Sequence, residues 1–526
     1  MTAIGDLKFL GERNDKKYSG TALVCGGSIS GLLAARVLSD YFEKVLIVEP
    51  EEWLTTKDGI SPYSRDESGQ LRKHSKVFQY RFTHVYQGFV SRTLVKMFPN
   101  FRSEIEEFGG RLVNGPLNIY MNGYPMANPS WRAKNEDLVF VTRPILETAI
   151  RRLTLQACSN VKYLCGTVTS LLRASKTGPV DGVQIRLPNG QESTILAALV
   201  IDCTGGSYSG LRWLRELETK TSIGQNLERL KTSYNFNFVY GCFELDIPDK
   251  VILQLKKLLA SAWNKSMDQI DLQAIYHAWG PESDYGRELF GIFRQEGNLF
   301  HLACGGFGIE ACPKTIKQLR ERCLELNFAQ LIPEWIIDFL DIIEREELPF
   351  AYTTNRMLSY KMNLAPAVYI DYFKAKGLPS NFIVMGDAIH RANPVRGQGV
   401  VKACMDAVSL GGLLASQRHE SGLLDDFAEQ FFAIQAKRSG ALWDSGKLID
   451  YGWDSTVPCT GEDLSLGSFQ RVFSKHLRQL TLTDPHAENV LLNVAQYCEP
   501  PTLLFAPSIL FGCFWIWAKE KVGYNN

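Results

Sequence analysis

Two glycine-rich turns carry residue types suited to holding the two ends of one long ligand. The first, CGGSISG, runs from Cys25 to Gly31; the second, GDAIHRANPVRGQG, runs from Gly386 to Gly399. In the first, Gly26 and Gly27 supply a tight bend, Ser28 stands where a further glycine is usual, and Gly31 lets a helix approach a strand closely. Amides at the start of that helix, with its dipole behind them, suit a pyrophosphate. Glu49 lies 23 positions after Gly26, where a carboxylate can accept both hydroxyl protons of a ribose. An acid there disfavours a 2′-phosphate, so NAD or FAD is expected and NADP is not.

The surrounding sequence must fold to aim these turns. Thr21 to Cys25 is a short β-rich apolar run, Gly31 to Leu38 has helical periodicity, and Val45 to Val48 reads as a second strand. The result is a strand, turn, helix, strand unit. Farther on, Ala198 to Ile201 runs into Asp202-Cys203-Thr204-Gly205-Gly206, a strand ending in small residues. Phe382 to Met385 reads as a strand closed by Gly386-Asp387, and Gly397-Gln398-Gly399 opens a helix expected over 400–414.

Composition narrows the partners. The chain has 526 residues, enough for two or more domains. Its 57 Lys plus Arg balance 57 Asp plus Glu, so no bulk field attracts nucleic acid. Twelve cysteines show no CxxC pair and no zinc spacing, and no metal site is expected. The start, MTAIGDLKFLGERNDKK, lacks an apolar signal core, which leads to the expectation of an intracellular, cytoplasmic protein. The run from Leu503 to Ala518 is apolar for 16 residues and is interrupted by Pro507. That is short for a membrane span, so a buried carboxy-terminal helix is the first expectation and shallow membrane contact through 503–518 the second.

The N-terminal glycine turn with Glu49, the D-C-T-G strand end, and the G-D-A-x-H-x-x-x-P-x-x-G-Q-G segment occur in an order that resembles the group A FAD-dependent monooxygenases. These are flavoprotein hydroxylases of the p-hydroxybenzoate-hydroxylase type, with squalene-epoxidase-like enzymes and flavin halogenases among their relatives. VTRPILETAIRRL (141–153) resembles the helix that carries an FAD-contacting arginine there, here Arg143. The resemblance implies FAD as cofactor, NADPH or NADH as transient reductant, O2 as co-substrate and transfer of one oxygen atom to a small molecule. It implies that Asp387 binds a ribityl hydroxyl, that Pro394 lies near the flavin ring, and that amides around Gly397, Gln398 and Gly399 face its pyrimidine edge. Asp202 and Val168 complete the cofactor-binding set that it implies.

The implied fold class is α/β: a Rossmann-like FAD-binding domain over 18–225 and 356–425, an inserted β-rich substrate domain over 226–355, and a helical region over 426–526. Residues 111–140 are expected to add to the substrate sheet, with a hairpin turning at Asn122-Gly123. FNFVYGCFEL (236–245) places Phe236, Phe238, Tyr240 and Cys242 on one face, and ELFGIFRQEGNLFHLACGGF (288–307) reads as a hairpin turning near Glu296-Gly297-Asn298. An apolar sheet lining suits a lipophilic aromatic or terpenoid substrate.

VFQYRFTHVYQGF resembles the Q-x-R-x-x-H helix of one subgroup of the family, which puts Arg81 and His84 on one helix face as catalytic candidates, with His390 and Tyr86 as further proton acceptors. Two other classes stay open: a flavin oxidase, reductase or halogenase, although the W-x-W-x-I-P halogenase signature is absent, and a non-catalytic binding protein on the same fold.

Overall fold

The structure, a computed structural model, describes the chain apart from residues 1–2, 13–15, 68–71, 76, 78–79, 114–117, 122–123, 126–137, 176, 222–226, 271, 273–274, 282–285, 327–330, 347–355, 362–365, 418–421 and 524–526. Five parallel strands make the central sheet, in the spatial order Phe382–Val384, Leu199–Asp202, Tyr18–Cys25, Phe42–Glu49, Val161–Cys165. These strands read as nearly continuous apolar runs because both faces are covered. Leu23, Val24, Val200, Ile201 and Ile383 have no exposed surface. Helix Ile29–Leu38 packs against helix Gln398–Ser416, which in turn packs against helix Phe427–Asp450. Gln398–Ser416 is long and apolar enough to cross a membrane, but it is mostly buried and serves as the core helix of this layer.

A second sheet of seven strands lies over this layer, in the order Arg356–Lys361, Phe238–Asp246, Leu299–Phe307, Glu288–Arg294, Tyr276–Gly280, Asn118–Met121, Tyr124–Pro125. Alternation along its strands separates two faces. Phe243, Leu302 and Ile292 form one cross-strand row and pack outward in a core shared with helices Asp249–Ala262 and Glu334–Arg345. The opposite face carries Tyr240, Cys242 and Glu244 beside Gly305, Ala303 and His301.

Several boundaries differ from the sequence expectation. The hairpin of 288–307 turns at Gln295–Asn298, as expected. Arg356–Lys361, assigned above to the FAD-binding part, pairs with Phe238–Asp246 as the edge strand of the seven-stranded sheet. Nothing in its local sequence distinguishes the two destinations. Strand Asn118–Met121 joins the same sheet beside Tyr276–Gly280, and the Asn122-Gly123 turn lies outside the described residues. The last helix, Pro507–Lys521, is not the buried element first expected: only Ile509 and Cys513 are buried along it. None of the twelve cysteines forms a disulfide.

Candidate cofactor and substrate site

The first glycine turn is shaped by close approach. Gly26 has φ +110°, and a Cβ there would stand 2.6 Å from the Cys203 carbonyl oxygen. A Cβ on Gly31 would stand 1.9 Å from the Gly26 carbonyl oxygen, so only glycine lets helix Ile29–Leu38 leave the strand at this angle. Ser28 caps that helix without offering its hydroxyl to the first-turn amides. Instead Ser28 Oγ donates to Glu147 Oε2 at 2.7 Å and accepts from Arg143 at 3.2 Å. The amides that a helix normally satisfies with its cap are thus left for a ligand.

Charges behind the turn are buried and paired. Glu147 and Arg151, one helical turn apart and both without exposed surface, bond at 2.9 Å, and Arg151 also donates to the Gly27 carbonyl at 3.2 Å. Burial alone would raise the Glu147 pKa; His74, Arg151, Arg143 and the Ser28 hydroxyl outweigh it and hold the carboxyl below its ordinary range. Glu49 accepts the Gly27 N–H at 2.7 Å and the Glu51 N–H at 2.9 Å. Asp202 is wholly buried and accepts from the amides of Thr204 (2.8 Å) and Gly210 (2.7 Å), so it fixes the strand end and the following helix. Val168 lies at a bulge in strand Thr167–Leu172 and packs in the main core.

The second turn meets the first. A Cβ on Gly386, at φ +66°, would stand 2.7 Å from Ser30 Oγ, so the two stretches touch although 356 positions separate these residues. Gly386 N–H donates to the buried Asp406 at 2.8 Å. Asp387 is half-exposed and bonded to Lys402, which has no exposed surface and also donates to the His390 carbonyl. Burial opposes ionisation of Asp387, but the Lys402 ammonium outweighs it and holds the carboxyl below its ordinary range. Pro394–Arg396 forms one 3-10 turn that Asn393 caps through the Val395 amide. Its Arg396 pairs with Asp450, which also accepts from Tyr234 (2.8 Å) and Asn393 (3.1 Å).

Gly397, at φ +64°, starts helix Gln398–Ser416 without a side-chain cap. A Cβ on Gly399 would meet nothing within 4 Å, so the helix start stands open. Gln398 turns its amide away, donating to the Tyr497 hydroxyl at 3.0 Å.

Arg81 and His84 do not share a helix face. Residues 80–86 form a turn and bend followed by an irregular run, which lies on the inner face of the seven-stranded sheet and ends in a bridge between Tyr86 and Val139. No helical repeat relates their side chains, and the consecutive residues Arg81, Phe82 and Thr83 all reach one face of the sheet. Arg81 pairs with Glu244, and Thr83 Oγ1 contacts Cys242 Sγ at 3.3 Å. Phe82 packs on Tyr240 with ring centroids 5.3 Å apart. His84 Nδ1 lies 2.8 Å from the Phe82 carbonyl oxygen. Burial, then the nearby Arg143, push its pKa down to about 3, so its imidazole is neutral at ordinary pH. The Phe82 oxygen can only accept, which puts the proton on Nδ1 and leaves Nε2 as an acceptor.

His390 lies elsewhere: its ring packs edge-on against Tyr369 and Trp443, with both nitrogens buried and unbonded.

Several functional candidates escaped the sequence reading. Lys402 and Asp406 are charged residues four apart on an otherwise apolar helix, a detectable signal. His301 interrupts an apolar strand; it is wholly buried beside Glu244, with both ring nitrogens unbonded, and burial with the neighbouring His84 and Arg81 lowers its pKa to about 3. Asp450 gives no local signal.

No family model matches the chain. The protein Rv3254 of Mycobacterium tuberculosis (strain ATCC 25618 / H37Rv) is 23% identical over 439 residues, covering 82% of this chain and 80% of that protein. Among solved structures, PqsL of Pseudomonas aeruginosa, a probable FAD-dependent monooxygenase, superposes with TM-score 0.54 at 14% identity, covering 86% of this chain and 98% of its own. The flavin-dependent brominase Bmp2 gives 0.54 at 11% identity, covering 95% and 100%. HpxO of Klebsiella pneumoniae, solved with FAD and uric acid, gives 0.51 at 16% identity, covering 91% and 97%. The parallel sheet with its inserted second sheet is thus the fold shared with PqsL, Bmp2 and HpxO.

Proposed function

We propose that this protein is an FAD-dependent monooxygenase that uses NADPH or NADH and O2 to hydroxylate or epoxidise a lipophilic aromatic or terpenoid molecule. One observation carries the reading: two helices begin uncapped at glycine turns, and these turns meet where Gly386 rests on Ser30. FAD has a phosphate end and a charge-accepting ring end, and the residues present fit both. When bound, it supplies the redox and oxygen-transfer chemistry, and the protein supplies placement and electrostatics.

In this reading the amides of Ser28 to Gly31 hold the pyrophosphate, Arg143 balances its charge, and Glu49 binds the adenosine ribose. Asp387, kept ionised by Lys402, accepts from the ribityl chain. The helix start at Gly397–Gly399 offers fixed positive potential to the pyrimidine edge, with Pro394 beside the ring. Tyr240, Phe82, Phe140 and Phe293 form the apolar, water-excluding wall on the substrate side. His84 Nε2 is the proton acceptor available to a substrate hydroxyl, with Arg81 and Glu244 holding its segment on the sheet. His390 is a packing residue. Two proteins of the same fold hold small cyclic molecules in their solved structures, PqsL 2-aminobenzoylacetate and HpxO uric acid.

Purified protein reconstituted with FAD should be yellow, with about one flavin per chain. Anaerobic NADPH or NADH should bleach it, faster in the presence of one class among a panel of lipophilic phenols and terpenoids, and admitting air should give a product with one added oxygen. A protein that binds no FAD would overturn the reading in favour of a binding role. Halogenated product formed only when bromide or chloride is present would replace the monooxygenase with a halogenase.

A further inference from the structure

We propose that the carboxy-terminal helices dock this protein in the plane of an anionic membrane surface. Helix Pro507–Lys521 is anchored on one side only: Ile509 and Cys513 pack with Leu477 and Leu480 of helix Ser468–Thr481, and a Cβ on Gly512 would stand 2.7 Å from Leu480. That contact fixes the helix, so its outer side is not an element awaiting another place in the core. The outer side is nonetheless aromatic. Phe511 is 67% exposed, Phe514 58% and Trp515 54%, and Phe505 in the preceding turn is 55% exposed. Phe469 on the neighbouring helix is exposed as well. An exposed apolar set of this size marks an interaction surface.

Three features select a lipid surface as the occupant. The helix has 15 residues and is about 22 Å long, short of the roughly 30 Å hydrocarbon core, so it suits lying in the interface and not spanning it. Its last turn carries Lys519 and Lys521 beside Trp515 and Trp517, the pairing of amphipathic rings with cationic heads that favours the headgroup level. Lys519 Nζ lies 5.6 Å from the Trp515 ring centroid. The acid between these lysines, Glu520, is already bound by Lys475 and His476, so the rim presents net positive charge to anionic headgroups.

The segment that precedes this surface is tied to the rest of the chain by hydrogen bonds. The Gln496 side chain and carbonyl accept the amides of Gly88 and Phe89, and Tyr497 accepts from Gln398 at the start of the core helix.

The test is flotation of the full chain with phosphatidylcholine vesicles, with and without phosphatidylglycerol. The unaltered chain should float with the anionic vesicles, and its tryptophan fluorescence should be quenched by brominated lipid. The combined change Phe511→Ser, Phe514→Ser and Trp515→Ser should lower the bound fraction by about tenfold or more. The pair Lys519→Glu and Lys521→Glu should abolish the preference for anionic lipid. Absence of flotation and quenching in the unaltered chain at low salt would overturn the proposal. So would equal flotation of the triple variant, or a dimer that the triple variant converts to monomer without any lipid binding, which would assign the patch to a second copy. Quenching in the unaltered chain decides the matter if the triple variant does not fold. No readout depends on flavin or turnover, so this result and the proposed activity stand or fall separately.

Discussion

The two glycine turns do the same physical work, each presenting a helix start that no side chain caps by a hydrogen bond, yet they are supported differently. The first is closed by backbone approach in its own neighbourhood, Gly31 against Gly26, with Glu49 accepting the Gly27 amide across 22 positions, and only its rear is met by the distant pair Glu147 and Arg151. The second is held by buried side chains that come from farther along the chain. Asp406 takes the Gly386 amide, Gln435 bonds Asp406, Lys402 sits beneath Asp387, and Asp450 ties down Arg396. Backbone closeness gives a turn that one added methyl can destroy. Side-chain support gives a turn sensitive to protonation and to substitutions at a distance.

The sharpest way to break this contrast is to add a single carbon at each turn. Gly31→Ala places a Cβ 1.9 Å from a backbone oxygen that cannot rotate away. It should cost about 4 kcal/mol or abolish soluble protein, read by thermal melting. Gly399→Ala, where the added carbon meets nothing within 4 Å, should leave the melting temperature nearly unchanged. Equal losses at both sites would mean that the two turns are supported alike.

Protonation separates them next. Burial pushes the Asp406 pKa up to about 6 from its ordinary 3.8. The folded chain thus keeps a proton there that the unfolded chain releases, so this stabilising contribution is complete below pH 4 and lost as pH rises through 6. The difference of about two units corresponds to about 3 kcal/mol. Asp406→Asn should remove that slope from the denaturation free energy measured between pH 4 and 7. Glu147, held below its ordinary range, has the opposite sign: its contribution is present above the unfolded pKa and lost as pH falls. A slope unchanged in Asp406→Asn would show that this carboxyl titrates normally.

How much of this was legible in the sequence follows the same division. The strand, turn, helix and acid around Gly26 lie within about thirty residues, and hydrophobic period with glycine spacing is enough to read them. The hairpin of 288–307 was legible for the same reason. The Arg81–His84 segment was misread as helical because its conformation is set by the sheet beneath it, where Glu244 and Cys242 lie two apart on one face. The edge strand Arg356–Lys361 was misplaced because pairing with Phe238–Asp246 is a tertiary choice. The last helix has the composition of a core element, and only the packing of Ile509 and Cys513 reveals that most of it faces outward.

A substitution remote from both turns in sequence tests the second one directly. Asp450→Ala leaves Arg396, Asn393 and Tyr234 without their common acceptor. Arg396 keeps partial access to water, so the loss should be about 2 kcal/mol, below the cost of orphaning a fully buried charge. FAD release should quicken with it, because the Pro394 turn loses its anchor. Unchanged stability and flavin retention would show that the turn holds itself.

The smallest effect separates ligand binding from support. Glu49 serves two backbone amides as well as the proposed ribose contact, and glutamine offers only one oxygen to those amides. Glu49→Gln should therefore lower both the melting temperature and FAD affinity. Asp387 is half-exposed and bonds no backbone amide; its partner Lys402 retains the His390 carbonyl and the nearby Asp406 charge when the carboxylate becomes an amide. Asp387→Asn should weaken FAD by about tenfold, about 1.4 kcal/mol, while the melting temperature of the cofactor-free protein barely moves. Unaltered FAD affinity in Asp387→Asn would remove that residue from the cofactor site and leave its ion pair with Lys402 as a support of the second turn alone.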